Sequence, residues 1–317
     1  MVRKIRIDGY KTFRDFEMGF PDGVTLICGP NGSGKSALRE ALRAVSGFLA
    51  MPGRSGQTPA SLAFPPCSFC RWQAKSGGRA EMSVGLELAG RGGKVFFYSL
   101  DLRCGAGDGS VWAGRETLEA SAPGRGRKLL LSGGRSGPSF RSESGSQAEA
   151  AHDGKLSCMP LGSEANGEIR EFCELAGRIL TFSRDFRNPE CRSERKPGAH
   201  RAGGLSDGQM ALCALRAVLD SAPDGSTLVL DNPEAFLAPG EIQPLLFAID
   251  DMSEERGVQT VVISHHPKTL NWYHKDAVIF RVAGSPPRTE AAANPNVAPL
   301  YETLSETERH SGGLKPW

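Results

Sequence analysis

A chain of 317 residues with 39% hydrophobic residues supplies apolar surface for one large or two modest buried cores, which sets it apart from disordered and fibrous classes. The formal net charge is only +2, so no global basic excess demands a nucleic-acid partner, and any basic surface must be local. No uninterrupted apolar run approaches the ~20 residues of a membrane span, and Met1 to Gly9 mixes Arg3, Lys4 and Arg6 with Val2, Ile5 and Ile7 in the manner of a strand, so a globular cytoplasmic protein without a membrane partner is expected.

In chain order, Lys4 to Asp8 and Thr12 to Met18 alternate apolar and polar residues, the signature of two half-buried strands. Pro21-Asp22-Gly23 turns the chain into the apolar run Val24 to Cys28, which ends in a glycine loop. Ala37 to Phe48 then places Leu38, Leu42 and Val45 on one helical face. Pro52 to Gly78 is a Pro/Gly/Ser-rich loop leading to two strand-like runs, Glu81 to Leu88 and Lys94 to Leu102. Gly105 to Gly154 is dominated by Gly, Ser and Arg and reads as loops with one hairpin. The spacing of Ile169, Phe172, Cys173, Leu175, Ala176 and Ile179 predicts a helix over Gly167 to Leu180. Beyond it come a helix at Gln209 to Leu219, a strand at Thr227 to Leu230, a helix at Glu241 to Met252 and a strand at Gln259 to Ser264. No internal repeat and no sustained heptad pattern is present, which excludes a long coiled coil. The eight cysteines are scattered, and the lone CxxC of Cys67 and Cys70 lacks a second ligand pair at metal spacing, so reduced thiols are expected.

The most informative segment is Gly29-Pro30-Asn31-Gly32-Ser33-Gly34-Lys35-Ser36, which fits G-x-x-x-x-G-K-[ST] between a strand and a helix. Small residues let the backbone N–H groups of Asn31, Gly32, Ser33 and Gly34 wrap phosphates, and the helix N-terminus adds positive potential. Lys35 reaches for the β- and γ-phosphates, and Ser36 offers a hydroxyl to Mg²⁺. The expected ligand is ATP with Mg²⁺. Asp231, at the end of Leu228-Val229-Leu230, is the carboxylate that would hold the magnesium shell.

Leu205-Ser206-Asp207-Gly208-Gln209, opening a helix ahead of that strand, resembles the signature motif of the ABC ATPase superfamily. The resemblance implies that Ser206, Gly208 and Gln209 grip the γ-phosphate of ATP held by a second subunit, and hence a homodimer or higher oligomer formed through ATP. His265, after Val261-Val262-Ile263-Ser264, resembles the family's switch histidine. Ile5-Arg6-Ile7-Asp8-Gly9-Tyr10-Lys11-Thr12-Phe13 looks like the opening of RecF-, SMC- and OLD-type ATPases, which makes Lys11 a phosphate-contact candidate. The stretch Asp231 to Pro244 with Ser264-His265-His266-Pro267 is similar to compact bacterial ATPases of this group, several of which serve anti-phage defence, including Septu-like systems. The likeness covers residues 1–50 and 200–280 well and the middle loosely.

The implied fold class is α/β: a P-loop NTPase of the ABC-type ATPase head, with a mainly parallel sheet flanked by helices, an antiparallel β-subdomain and a helical signature lobe. A single head is expected, with 1–50 and 205–285 as P-loop core, 51–155 as β-subdomain and insertion, 156–220 as helical lobe and 286–317 as C-terminal tail. The chain departs from the family in one place. The residue after Asp231 is Asn232 where a glutamate usually polarises the attacking water, and an amide cannot accept that proton. Glu234, two positions on, is the substitute candidate, and slow hydrolysis with ATP as a dimer glue is expected. After Phe280 too few residues remain for a nuclease domain, so a separate effector protein is implied. A RecF-like reading instead assigns Arg125 to Arg141 and Arg184 to Arg201 to DNA phosphates, a third reading is a scaffold that binds ATP without turnover, and a transporter ATPase is disfavoured by the N-terminal pattern.

Overall fold

The computed structural model describes residues 1–50, 58–69, 80–105, 109–134, 137–141, 147–149, 152–183, 207–284 and 288–293. The chain builds two compact units. The first comprises Met1–Pro21, Gly32–Leu180 and Arg281–Ala291, and the second is built mainly from Asp22–Asn31 and Thr181–Phe280.

In chain order the strands β1 (Val2–Asp8), β2 (Phe16–Gly19) and β3 (Val24–Cys28) precede the helices α1 (Lys35–Phe48) and α2 (Ala60–Ala63). Then come β4 (Ala80–Ala89), β5 (Val95–Cys104), β6 (Val111–Ser121), β7 (Lys128–Gly134), β8 (Ser139–Arg141) and β9 (Gln147–Glu149). Helices α3 (Met159–Ala165) and α4 (Gly167–Ala176) lead to β10 (Ile179–Ser183). The remainder is α5 (Asp207–Ser221), β11 (Thr227–Asp231), α6 (Pro239–Arg256), β12 (Gln259–Ile263), α7 (Pro267–Trp272), β13 (Ala277–Ala283) and β14 (Arg288–Ala293).

The first unit is organised on an eight-stranded sheet in the order β2-β1-β4-β5-β6-β7-β8-β9, its measured pairings all antiparallel. Met82, Val84, Leu86 and Leu88 of β4 and Phe96, Tyr98, Leu100 and Leu102 of β5 are buried at every second position, the period a one-sided core imposes. Phe172 of α4 packs its ring 5.8 Å from Phe96 and 5.3 Å from Tyr98. Asn166 caps α4, its side-chain oxygen accepting from the amides of Glu168 at 2.8 Å and Ile169 at 3.3 Å.

The region 105–154 corrects the sequence reading. Instead of loops and one hairpin, its described residues contribute four strands, including β6 of 11 residues. The alternation in β6 breaks because one extra residue, Gly114, enters the pairing between Asp101↔Arg115 and Leu102↔Ala113. Such a bulge shifts the phase, so Val111 and Ala113 face inward before it and Glu116, Leu118 and Ala120 after it. A charged residue on the core face hides the strand from any hydrophobic pattern.

Glu116 is consequently fully buried and is compensated by donors. Its Oε1 accepts from Tyr98 Oη at 2.9 Å and Ser157 Oγ at 2.5 Å, and its Oε2 from the Cys158 amide at 2.7 Å. Burial pushes its carboxyl above the ordinary value, and these hydrogen bonds oppose the shift. The network ties the segment before α3 to the sheet. The helix expected over Gly167 to Leu180 ends at Ala176, because Ile179 enters β10. Residues 288–293, expected in a tail, form β14.

The second unit is built on a parallel sheet whose central order is β11-β12-β3-β13. All residues of β11 and β12 are buried, as strands covered on both faces require. Arg256, in the last turn of α6, donates Nη1 to the Leu219 carbonyl at 3.0 Å, bonds the Ala222 carbonyl through Nη2 and pairs Nε with Asp224 at 2.9 Å. It thereby satisfies carbonyls at the end of α5, where a cation is favoured. No helix among the described residues is long and apolar enough to cross a membrane.

Glu116→Ala leaves three buried donors without an acceptor at about 1–3 kcal/mol each. We expect it to lower unfolding stability by at least about 3 kcal/mol in a urea titration.

Candidate functional site: the glycine loop and the sheet edge beside it

The glycine loop leaves β3 in the second unit and passes between Asn31 and Gly32 into the first, where it enters α1. Three of its glycines are needed for their backbone. Gly29 has φ 142°, Gly32 has φ 79° and Gly34, the N-cap of α1, has φ 100°. A Cβ at Gly29 would lie 2.2 Å from the Phe280 carbonyl oxygen, and one at Gly34 would lie 2.7 Å from Thr289 Oγ1. Lys35, the first residue of α1, is buried, with Nζ 3.5 Å from Ser33 Oγ. Asn31, Gly32 and Ser36 are exposed, Ser36 in the first turn of α1, where backbone N–H groups and the helix dipole favour an anion.

Thr289 holds the loop from outside the motif. Its Oγ1 donates to the Ser33 carbonyl at 2.9 Å and bonds Thr12 Oγ1 at 2.8 Å, while its amide donates to the Thr12 carbonyl at 3.1 Å. Only 2% of Thr289 is exposed, so the contact is a sealed one. Sequence reasoning missed this residue, since a threonine 256 positions from Ser33 carries no local signal. Lys11 sits in the left-handed region at φ 49°, forms an ion pair with Glu40 of α1, and lies 5.6 Å over the Tyr10 ring. A phosphate contact by Lys11 would have to compete with Glu40.

On the second unit, Asp231 aligns with Ile263, and Ile263 with Ile27, so β11, β12 and β3 end together. The Asn232 amide donates to Ile263 O at 2.8 Å and the Ser264 amide to Ile27 O at 3.2 Å, which carries the alignment one residue past the strands. Asp231, Ser264 and Gly29 therefore share the carboxyl-terminal edge of one parallel sheet, where open α/β sheets bind ligands.

Asn232 has φ 50°, a conformation asparagine tolerates better than most residues. Its Nδ2 donates to Asp231 Oδ1 at 2.9 Å, so the amide holds the acid in place. Glu234 turns back toward β12 and is buried; Ser264 Oγ donates to its Oε1. Burial raises its carboxyl above the ordinary range, the Ser264 hydrogen bond opposing. His265 is exposed. His266 does not continue the strand: it caps α7, its Nδ1 accepting from the Lys268 amide at 3.2 Å.

Gly208 and Gln209 fall in the first turn of α5, while Ser206 lies outside the described residues. Among the described residues no group of three or more His, Cys, Asp or Glu side chains is placed to hold a metal. The donors expected from the sequence, the Ser36 hydroxyl and the Asp231 carboxylate, are hard oxygens. They fit Mg²⁺, which takes few protein ligands and completes its shell with water and phosphate.

Strand, glycine loop and helix in this geometry define a P-loop nucleotide-binding fold. A family model for an AAA domain matches residues 4–63. The chain is 35% identical over 65 residues to the chromosome partition protein Smc of Rhodopirellula baltica, covering 20% of this chain and 6% of that protein. It is also 35% identical over 96 residues to an uncharacterized ABC transporter ATP-binding protein of Mycobacterium tuberculosis, covering 28% of this chain and 13% of that one. The chain thus spans a small part of the curated relatives it matches. Similar solved structures include the SMC head domain from Thermotoga maritima, at TM-score 0.47 and 16% identity over 92% of this chain and 98% of that one. Another is an SmcHead bound to the C-winged helix domain of ScpA, at TM-score 0.45 and 16% identity over the same shares. Over the matched segments the chain is similar to AAA-domain, SMC and ABC-type ATP-binding proteins.

Gly29→Ala forces a side chain into a disfavoured backbone region and against a carbonyl, so we expect a loss of at least about 2 kcal/mol of stability, read as a lower melting temperature. Thr289→Val removes the donor to the Ser33 carbonyl. We expect nucleotide affinity to weaken roughly five- to tenfold, measured by calorimetry, with the fold retained.

Proposed function

We propose that this protein is a nucleotide-gated switch that binds ATP with Mg²⁺, dimerises around the nucleotide and signals to a separate effector protein. The observation that carries the reading is the glycine loop, with its positive-φ glycines and buried Lys35 between β3 and α1. The phosphates would sit on the loop amides of residues 31–34 with Lys35 as counter-charge. Ser36 and Asp231 would hold Mg²⁺, which when bound offsets phosphate charge. Ser206, Gly208 and Gln209 of one subunit would close on the γ-phosphate held by its partner, and His265 would contact the same phosphate.

Hydrolysis in this reading is slow, because Asn232 cannot accept a proton and is occupied by Asp231. Bound ATP then acts as a glue, and a cytoplasmic role in prokaryotic anti-phage defence, with the effector on another chain, suits a compact ATPase of this kind. A RecF-like DNA-binding role gains less support from the described arginines. Within Arg125 to Arg141, Arg127 pairs with Glu119 at 3.6 Å while stacking 3.7 Å over Phe97. The segment Arg184 to Arg201 lies outside the described residues.

Sedimentation of the purified protein with Mg-ATP, Mg-ADP and no nucleotide tests the switch. We expect the mass to double with Mg-ATP only, and Lys35→Ala to stay at the nucleotide-free mass. A mass indifferent to ATP contradicts the proposal, and salt-sensitive binding of duplex DNA favours the RecF-like role instead.

A further inference from the structure

We propose that the outward face of α6, with Trp272 of α7, is the docking surface for a basic segment of the effector protein. Its role as the effector's seat rests on the switch reading above, while the surface itself is made by residues of the second unit alone.

α6 has two contrasting faces. Ile242, Leu245, Leu246, Ile249 and Met252 are buried against the unit's core, whereas Pro244, Phe247, Asp251, Glu254 and Glu255 are exposed. Counted from Phe247, the exposed positions are i−3, i+4, i+7 and i+8, which lie on one side of a helix. An apolar anchor and three acids therefore share a single stripe, about 17 Å long from Pro244 to Glu255.

The anchor is held in one orientation. Phe247, 50% exposed, meets the Trp272 ring edge to face at 4.9 Å and 83°. Trp272 Nε1 donates to Asp250 Oδ2 at 2.8 Å, and the other oxygen of that carboxylate accepts from Tyr273 Oη at 2.8 Å. An aromatic surface left half in water but already ordered loses little further freedom on binding, which is the condition for a strong contact residue.

The acids break a local rule. Glu254 and Glu255 lie in the last turn of α6 and Asp251 one turn earlier, at the end of the helix dipole that favours cations. Asp251 also stands three and four positions from the other two, where like charges repel. Among the described residues no ion pair relieves these three. Arg256 is committed to Asp224 and the carbonyls at the end of α5, Lys268 to the Pro239 carbonyl, and Lys275 has Asp276 beside it.

Charge selects the occupant. A second copy applied through the same face would set acids against acids, and lipid headgroups or nucleic-acid phosphates would be repelled. A protein segment fits when it lays arginine or lysine over the acids and an apolar side chain or a guanidinium on the aromatic pair. The place in the fold suits a readout. α6 follows the end of β11 that carries Asp231, and α7 follows the end of β12 by way of His265. Lys268 Nζ, donating to the Pro239 carbonyl at 2.8 Å, joins the starts of the two helices.

The test uses protein carrying a photo-crosslinking benzoylphenylalanine in place of Gln243, which is exposed one turn before Phe247. It is irradiated with Mg-ATP in an extract of the native host, and the captured protein is identified by mass spectrometry and purified. That protein is then titrated against wild type, Phe247→Ala and the combined Asp251→Lys, Glu254→Lys, Glu255→Lys variant. We expect its affinity to fall at least ~10-fold with Phe247→Ala and at least ~10-fold with the charge reversals, and to weaken as salt rises. Both variants should keep the Mg-ATP-dependent mass of wild type, and the charge reversals should leave the melting temperature equal or higher, since lysines suit a helix C-terminus. If one variant fails to fold, the other decides. Capture of nothing, capture of another copy of this chain alone, or affinity within about threefold of wild type in either folded variant overturns the proposal. A partner that depends on both sets of residues, in a protein whose mass is indifferent to Mg-ATP, instead defeats the switch reading and leaves the docking surface standing.

Discussion

The approach of Gly29 to the carbonyl of Phe280 is the constraint on which the rest of the second unit's edge depends. At that point β3 must stop, and its backbone must pass a neighbouring strand too closely for any side chain: a Cβ would lie 2.2 Å from the Phe280 oxygen. The chain turns there out of the sheet into the glycine loop. The alignment of Ile27, Ile263 and Asp231 across three parallel strands places the acidic end of β11 on the same edge.

On the first unit, the cradle's second half is held by packing and hydroxyl groups. Gly34 is pressed against Thr289, Thr12 and Phe13, and the two threonines bond each other while Thr289 also bonds the Ser33 carbonyl. The backbone of a phosphate loop is useful only if it is preorganised, since amides that must reorder on binding lose affinity. Thr289 and Thr12 supply that order from strand and turn positions remote in sequence. The large antiparallel sheet behind them is anchored in turn by Glu116, a charge kept in the core by three donors.

The strand, loop and helix of the candidate site were legible because the P-loop motif is local: strand, glycines, lysine and hydroxyl lie within 13 consecutive residues from Val24 to Ser36. The place of Asp231 at the end of β11 was legible for the same reason, as an acid closing an apolar strand. The tie from Thr289 was not, because contacts across the sequence leave no periodic trace. β6 was illegible because a bulge at Gly114 breaks its alternation and turns Glu116 inward, while glycine and arginine in its surroundings imitate a loop. Glu234 was visible as a candidate, but its place beside Ser264 required the left-handed turn at Asn232, which no pattern of hydrophobicity encodes.

Lys35, buried at the start of α1, is the proposed counter-charge of bound triphosphate. Calorimetric titration of Mg-ATP into the wild-type protein and into Lys35→Ala tests that claim most directly. We predict saturable binding by wild type that falls at least ~100-fold in the variant, as loss of a close charge partner to phosphate requires. Equal affinity for the two proteins, or no saturable binding by wild type, would contradict it.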